Sequence, residues 1–151
     1  MTAGNKFALH PKLKEDSLPL GRLEISRVLL MNDARFPWCL LVPEIDGATE
    51  IHLLDPGDQL MLMRESVVLS KALVEAYRPD KLNVAALGNQ VPQLHLHHIA
   101  RFRSDAAWPH PVWGVGRAVA YEPASLSANM ERLANKLGAV AAAAQLGFRL
   151  W

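Results

Sequence analysis

The chain has 151 residues, a formal net charge of +1, and 50% hydrophobic against 21% charged residues. That length suffices for one domain with a real core. The near-neutral balance argues against a dedicated nucleic-acid surface, which shows as a basic excess, but leaves room for a local phosphate pocket. The single cysteine, Cys39, excludes an internal disulfide and suits a reducing compartment. The opening stretch "MTAGNKFALHPKLKED" has no apolar core followed by a small-residue cleavage site, and no apolar run nears the ~18 residues of a membrane span. The expectation is a soluble, cytoplasmic single domain over residues 1–151, with no membrane or nucleic-acid partner.

In chain order, residues 1–22 read as a loosely structured lead-in. "LEISRVLLMND" (Leu23 to Asp33) is β-rich and ends on a turn signal, and "FPWCLLVPE" (Phe36 to Glu44) follows at hairpin distance, so the two are predicted as adjacent antiparallel strands. Asp46-Gly47 marks a further turn. The clearest helix begins with Asp55 as N-cap and Pro56 at the first helical position, carries Asp58 at the positive end of its dipole, and stops at Arg78-Pro79. Leu60, Met63, Val67, Val74 and Tyr77 recur at helical spacing and are taken as its core face, with the methionines as core filler. "KLNVAALGNQ" is a strand turning at Gly88-Asn89, and "VPQLHLHHIARF" (Val91 to Phe102) is the next strand. "SDAAWPHPVWGVG" is a loop and "RAVAYE" a short final strand. A second helix covers roughly 124–147, with Leu126, Met130, Leu133 and Leu137 on one face. Consecutive strands joined by short turns, with helices that do not alternate strictly with them, predict an α+β fold: an antiparallel sheet with packed helices.

The stretch from Val91 to Phe102 holds three of the six histidines. Strand alternation puts Gln93, His95 and His97 on one face, and Leu94, Leu96 and His98 on the other. The leucines want a core, which leaves the first face for a ligand. Three readings compete. The residues are satisfied polar groups on a solvated face; or His-x-His supplies two metal ligands, with no partner ligand set by the sequence; or an imidazole serves as nucleophile toward phosphorus. The preceding Gly88, Asn89 and Gln90 offer a turn with backbone N–H groups and neutral side-chain donors suited to phosphate oxygens.

"GNQVPQLHLHHIAR" resembles the signature of the histidine triad (HIT) family, a glycine turn followed by alternating histidines and apolar residues. The middle and last histidines match His95 and His97, Gln93 stands at the first, and His98 replaces the first apolar residue after the triad. The resemblance runs over roughly 20–115. It implies a nucleotide hydrolase or nucleotidyl transferase acting at the α-phosphate of a nucleotide conjugate, such as a dinucleoside polyphosphate or nucleoside phosphoramidate. His95 would be the nucleophile, and His97 would bond the phosphoryl oxygens and aid the leaving group. Gly88, Asn89, Gln90 and Asn83 would hold phosphate, and Asn32 or Asp33 the ribose. No cofactor and no metal is implied, and a homodimer is. Gln93 cannot titrate but can orient a neighbour. The family often has another histidine near Trp38, which could stack on a base or simply pack. Gln93 motivates one alternative, a nucleotide-binding regulatory module with little turnover; a metal-dependent hydrolase using His95 and His97 is another. Of the remaining candidates, His98 and His52 are read as packing or surface residues, Arg101 and Arg103 as a solvated strand end that could also reach a phosphate, Trp108 and Trp113 as core packing or as residues over the site's mouth or at a subunit interface, and Cys39 as an inert buried thiol.

Overall fold

A computed structural model describes residues 7–151; residues 1–6, the start of the lead-in and of the stretch read for a leader, lie outside the described residues. A short helix α1 (Pro11–Asp16) leads into strands β1 (Ser17–Arg22), β2 (Ser26–Met31) and β3 (Trp38–Pro43). The long helix α2 (Pro56–Tyr77) follows, then β4 (Lys81–Ala85), β5 (Leu96–Arg101), helix α3 (Pro123–Ala143) and a two-residue β6 (Arg149–Leu150). All pairings are antiparallel, in the order β4-β5-β3-β2-β1-β6. This is the α+β arrangement predicted from the sequence.

The centre of the sheet has no solvated face. All six residues of β3 and all six of β5 are buried. Cys39 and Leu41 point to the helix side, where Val28, Leu30, Leu69, Leu73, Leu133 and Leu137 close the core. Trp38, Leu40 and Val42 point to the other side, onto Leu13, Leu29, Phe36, Ile99, Ala107 and Val112. Each such leucine contributes about 1.5–3 kcal/mol on burial. One face of the sheet is therefore covered by helices, the other by the N-terminal segment and the loop after β5.

Three expectations need correction. The described part of the lead-in is ordered: residues 11–22 form α1 and β1. Pro19 and Gly21 hid the strand, since both residues normally demote one. Here the register shifts between Pro19 and Gly21 at an irregularity in the pairing with β2. Gly21 is required because a Cβ there would lie 2.4 Å from the Arg149 carbonyl oxygen of β6. "RAVAYE" forms no strand; it runs beside residues 32–34, with Ala34 N–H donating to the Val119 carbonyl and Tyr121 N–H to Asn32 Oδ1. Third, α2 buries a different face. Leu60, Met63, Val67 and Val74 are 66, 58, 45 and 45% exposed, and of the predicted stripe only Tyr77 packs against the core. The buried stripe is Leu62, Glu65, Ser66, Val68, Leu69, Ala72 and Leu73. Its two polar residues disguised it, and both are used: Glu65 Oε1 accepts from Ile25 N–H at 2.7 Å and Ser26 N–H at 3.3 Å, and Ser66 Oγ bonds His98 Nε2 at 2.7 Å. On α3, Leu133 and Leu137 are buried, with Leu126 and Met130 partly so against the same core.

Glu65 is fully buried, and burial raises its carboxyl above the usual range despite the two N–H groups that favour the anion. A raised carboxyl binds its proton more tightly folded than unfolded. The stabilisation is thus present at low pH and is lost as pH rises through the folded pKa. Glu65→Gln keeps the acceptor and removes the charge. Its melting temperature should equal or exceed that of the wild type at pH 8, with the advantage shrinking toward pH 5. A variant clearly less stable at pH 8 would refute this account.

Candidate active site

The chain after β4 turns at Gly88, whose φ of +77° lies in the left-handed region that glycine adopts without strain. The segment then runs without regular structure, bending at Asn89, Gln90 and Gln93, to Leu96, so the regular strand starts later than predicted, and Gln93 and His95 precede it. His95 and His97 nevertheless come together: their ring centroids lie 4.8 Å apart, edge to face. Both line a cleft of about 390 Å³ with Gly88, Asn89, Gln90 and Val91 on one side, Trp38, Leu40 and Trp113 beneath, and Lys12, Leu13 and Asp16 of α1 as a further wall. The peptide N–H groups of Gly88 to Val91 donate to no group among the described residues. A groove of about 490 Å³ between α2 and α3, lined mainly by Met63, Val67, Val140 and Ala143, lacks this chemistry.

Hydrogen bonds fix the state of both imidazoles. His95 Nδ1 lies 2.7 Å from the Gln93 carbonyl oxygen, which only accepts, so Nδ1 carries a proton and, of the two tautomers, the one with its lone pair on Nε2 is selected. At His97 the order is reversed. Trp38 Nε1–H donates to His97 Nδ1 at 3.0 Å, so the proton sits on Nε2. Burial, with smaller contributions from His95 and His98, pushes the His97 pKa down to about 3. Trp113 stands edge-on to both Trp38 and His97, with its own indole N–H unpartnered among the described residues. His98, on the helix face, is fully buried between Ser66 and the Leu96 carbonyl; burial pushes its pKa to about 4, as suits a packed residue. Cys39 is likewise buried, its thiol raised by burial to about 12.

The remaining site residues divide. Gly88, Asn89 and Gln90 line the cleft. Asn32 and Asp33 line an adjoining cleft of about 450 Å³ that shares Asp16, Met31, Trp38 and Trp113 with the first. Burial alone would raise the Asp33 carboxyl, but Arg35 and the Val119 N–H override it and hold it below the usual range. Asn83 is not in the cleft. The register puts Ala85 opposite His97 and Asn83 opposite Ile99, two residues farther on, where Asn83 Oδ1 accepts from Arg101 at 2.7 Å. Arg101 is not a solvated strand end: it is 1% exposed and makes a two-point pair with Asp105 at 2.8 and 3.0 Å. Arg103 is exposed, and so is His52. Among the described residues no group of three or more His, Cys, Asp or Glu side chains could hold a metal ion, and no helix is long and apolar enough to cross a membrane.

Residues 13–104 match the model of the HIT domain. The chain belongs to the histidine triad family. It is 48% identical to a histidine triad protein of Bradyrhizobium japonicum, over 87% of this chain and 98% of that one, with a TM-score of 0.85. It is 45% identical to one from Marinobacter aquaeolei, over 89% and 98%, with a TM-score of 0.86. At 14% identity and a TM-score of 0.60, a hypothetical histidine triad nucleotide-binding protein of Sulfolobus tokodaii, covering 86% of this chain and 89% of its own, shares the fold. No match is found among curated proteins. HIT proteins generally bind nucleotides and hydrolyse or transfer nucleotide conjugates.

Gln93 is engaged away from the two histidines. Its side chain lies outside the cleft: Nε2 donates to the Ala8 carbonyl and Oε1 accepts from His10 N–H, both at 2.9 Å. Residue 93 therefore orients His95 through its backbone carbonyl, while its side chain fastens the segment that leads into α1. No signal in the sequence marked α1 as a wall, because the lead-in has no periodic run. Gln93→Ala should speed amide exchange at His10 by roughly tenfold or more while leaving β5 protected. Unchanged protection at His10 in residue-resolved hydrogen exchange would count against the clamp.

Proposed function

We propose that this HIT protein is a nucleotide hydrolase or nucleotidyl transferase that works through a covalent nucleotidyl intermediate on His95. The observation that carries the reading is the tautomer pair. The Nδ1–H of His95 is held by the Gln93 carbonyl, leaving an Nε2 lone pair beside the Nε2–H of His97. The lone pair attacks the α-phosphorus, the bond to the leaving group breaks, and its electron pair departs with that group. Water then attacks the same phosphorus and loses a proton to solvent, the P–N bond breaks with its pair returning to His95, and a mononucleotide is released. The N–H groups of Gly88 to Val91, the side chains of Asn89 and Gln90 and the Nε2–H of His97 meet the charge that develops on the phosphoryl oxygens. The nucleoside is assigned to the adjoining cleft, with its ribose toward Asn32 and Asp33. Asn83, tied to Arg101, acts only from behind. Gln93 serves by orienting His95 and by holding the N-terminal segment.

The test is a mass-spectrometric trap. The full chain is mixed with an adenosine 5′-conjugate and quenched in alkali within seconds, since phosphorus–imidazole bonds are acid-labile. A nucleotidyl adduct is expected on the peptide containing His95. His95→Ala should remove the adduct and lower kcat by about a thousandfold or more without unfolding the chain. AMP bound tightly with neither adduct nor turnover would replace this reading with a nucleotide-binding regulatory module.

We further propose a homodimer. The exposed apolar stripe Leu60, Met63, Val67 and Val74 on α2 and the unpaired edge of β4, with Val84 48% exposed, suit a second copy of the chain. Leu60→Glu with Val67→Glu should convert a dimer to a monomer in sedimentation velocity. A wild type that sediments as a monomer at micromolar concentration would remove the proposal.

A further inference from the structure

We propose that this chain selects nucleotide conjugates whose leaving group departs as a stable oxyanion, a phosphoanhydride or an acyl-phosphate mixed anhydride, over conjugates of basic amines, because Trp38 holds His97 as a hydrogen-bond donor with no proton to release. The inference rests on the nucleotidyl-transfer reading above and narrows its substrate class.

The two leaving groups differ in one requirement. When a P–O bond of an anhydride breaks, the electron pair stays on a phosphate or carboxylate oxygen and no proton is needed. When a P–N bond to an alkylamine breaks, the nitrogen must gain a proton in the same step or leave as an amide anion, which water does not support. A cleft that turns over amine conjugates well therefore holds a poised acid.

The groups within reach do not supply one. His97 presents Nε2–H, but releasing that proton gives an imidazolate unless Nδ1 takes up another. Nδ1 already accepts the indole N–H of Trp38 at 3.0 Å, and an indole N–H only donates. A proton on Nδ1 would set two hydrogens against each other in a site where Trp38 is 7% exposed. The low pKa of His97 agrees in direction. His95 contributes its lone pair, and its Nδ1–H is on the Gln93 carbonyl. Gln93 does not titrate. The ammonium of Lys12 is held by Asp16 at 2.7 Å and Glu15 at 3.3 Å, whose hydrogen bonds raise its pKa, and Asp16, the one carboxylate lining the cleft, is engaged as its partner. The cleft is thus built of fixed donors and one paired cation. Trp38 is a positioning residue: it acts only through His97.

The experiment compares two conjugates of one nucleotide at one pH on the full chain: diadenosine diphosphate, an anhydride, and an adenosine 5′-phosphoramidate of an alkylamine. The expected result is a kcat/KM for the anhydride at least roughly a hundredfold higher, the lower range of what a general acid supplies. Trp38→Phe keeps a ring in place and frees His97 Nδ1 for a proton. The ratio of phosphoramidate to anhydride turnover should then rise about tenfold, whatever happens to the absolute rates. A loss of packing alone would lower both substrates together and leave the ratio where it was. Comparable turnover of the two conjugates by the wild type, or an unmoved ratio in a folded Trp38→Phe chain, overturns the inference. Should that variant not fold, the wild-type ratio and the ring-nitrogen NMR shifts of His97 decide: a protonated Nδ1 in the resting chain also overturns it. An adduct on His95 from the anhydride separates the two claims. With it, only leaving-group selection is at stake; without adduct or turnover from either conjugate, the nucleotidyl reading falls and the inference with it.

Discussion

The constraint on which this molecule turns is that β5 is buried on both faces yet carries His97, His98 and Arg101. Leaving any of these unpaired in the interior costs about 1–3 kcal/mol, and more for a charged group. Each therefore has a dedicated partner: Trp38 for His97, Ser66 for His98, and Asp105 with Asn83 for Arg101. Satisfying these groups has a chemical by-product. A partner that only donates dictates which ring nitrogen keeps its proton, so the packing solution for His97 also sets what His97 can offer a substrate. Structure and chemistry meet in one hydrogen bond rather than in separate layers.

The same requirement explains which parts of the fold were legible. β2, β3 and both long helices announce themselves through apolar runs, capping residues and turn signals, and they lie close to where those signals put them. The orientation of α2 was not legible, because its buried stripe contains Glu65 and Ser66, the very residues that satisfy the β1–β2 turn and His98. The outward residues Leu60, Met63, Val67 and Val74 are all apolar and compete with the buried stripe as a core face. β1 was missed for a local reason, since Pro19 and Gly21 break the pattern a strand normally shows. β6 has two residues, too few for any periodic signal.

The candidate site was legible where it is local in sequence and obscure where it is not. His95, His97 and the Gly88 turn stand within ten residues, and alternation alone pairs the two histidines on one face. The partners that define their protonation come from elsewhere: Trp38 lies 59 residues away from His97 in sequence. Asn83 was misplaced by a shift of only two residues along β4, the smallest displacement that keeps a side chain on the same face. From the sequence, Gln93 is a residue that cannot titrate but can orient a neighbour. Its amide instead offers a donor and an acceptor side by side, matched to the Ala8 carbonyl and the His10 N–H. An imidazole carries its two nitrogens on different edges of the ring and suits that pairing poorly.

Both covers of the sheet's histidine face are fastened from within the motif region itself. On the N-terminal side the fastener is Gln93. On the far side it is Arg101, whose fork reaches Asp105, Asn83 and the His110 carbonyl at once. Asp105 in turn receives N–H groups from Phe102, Ala107 and Trp108. Burial of that carboxyl is outweighed by Arg101 and these N–H groups, which hold its pKa at about 2. An apolar pair of the same volume would fill the space, and a buried ion pair is weak evidence for stability in itself. What the charged pair adds is direction: several bonds at fixed angles set the course of residues 102–110, and that loop leads to Val112 and Trp113 beneath the histidines. The cleft therefore has a rigid floor, formed by the sheet, and two walls whose positions depend on a few polar contacts.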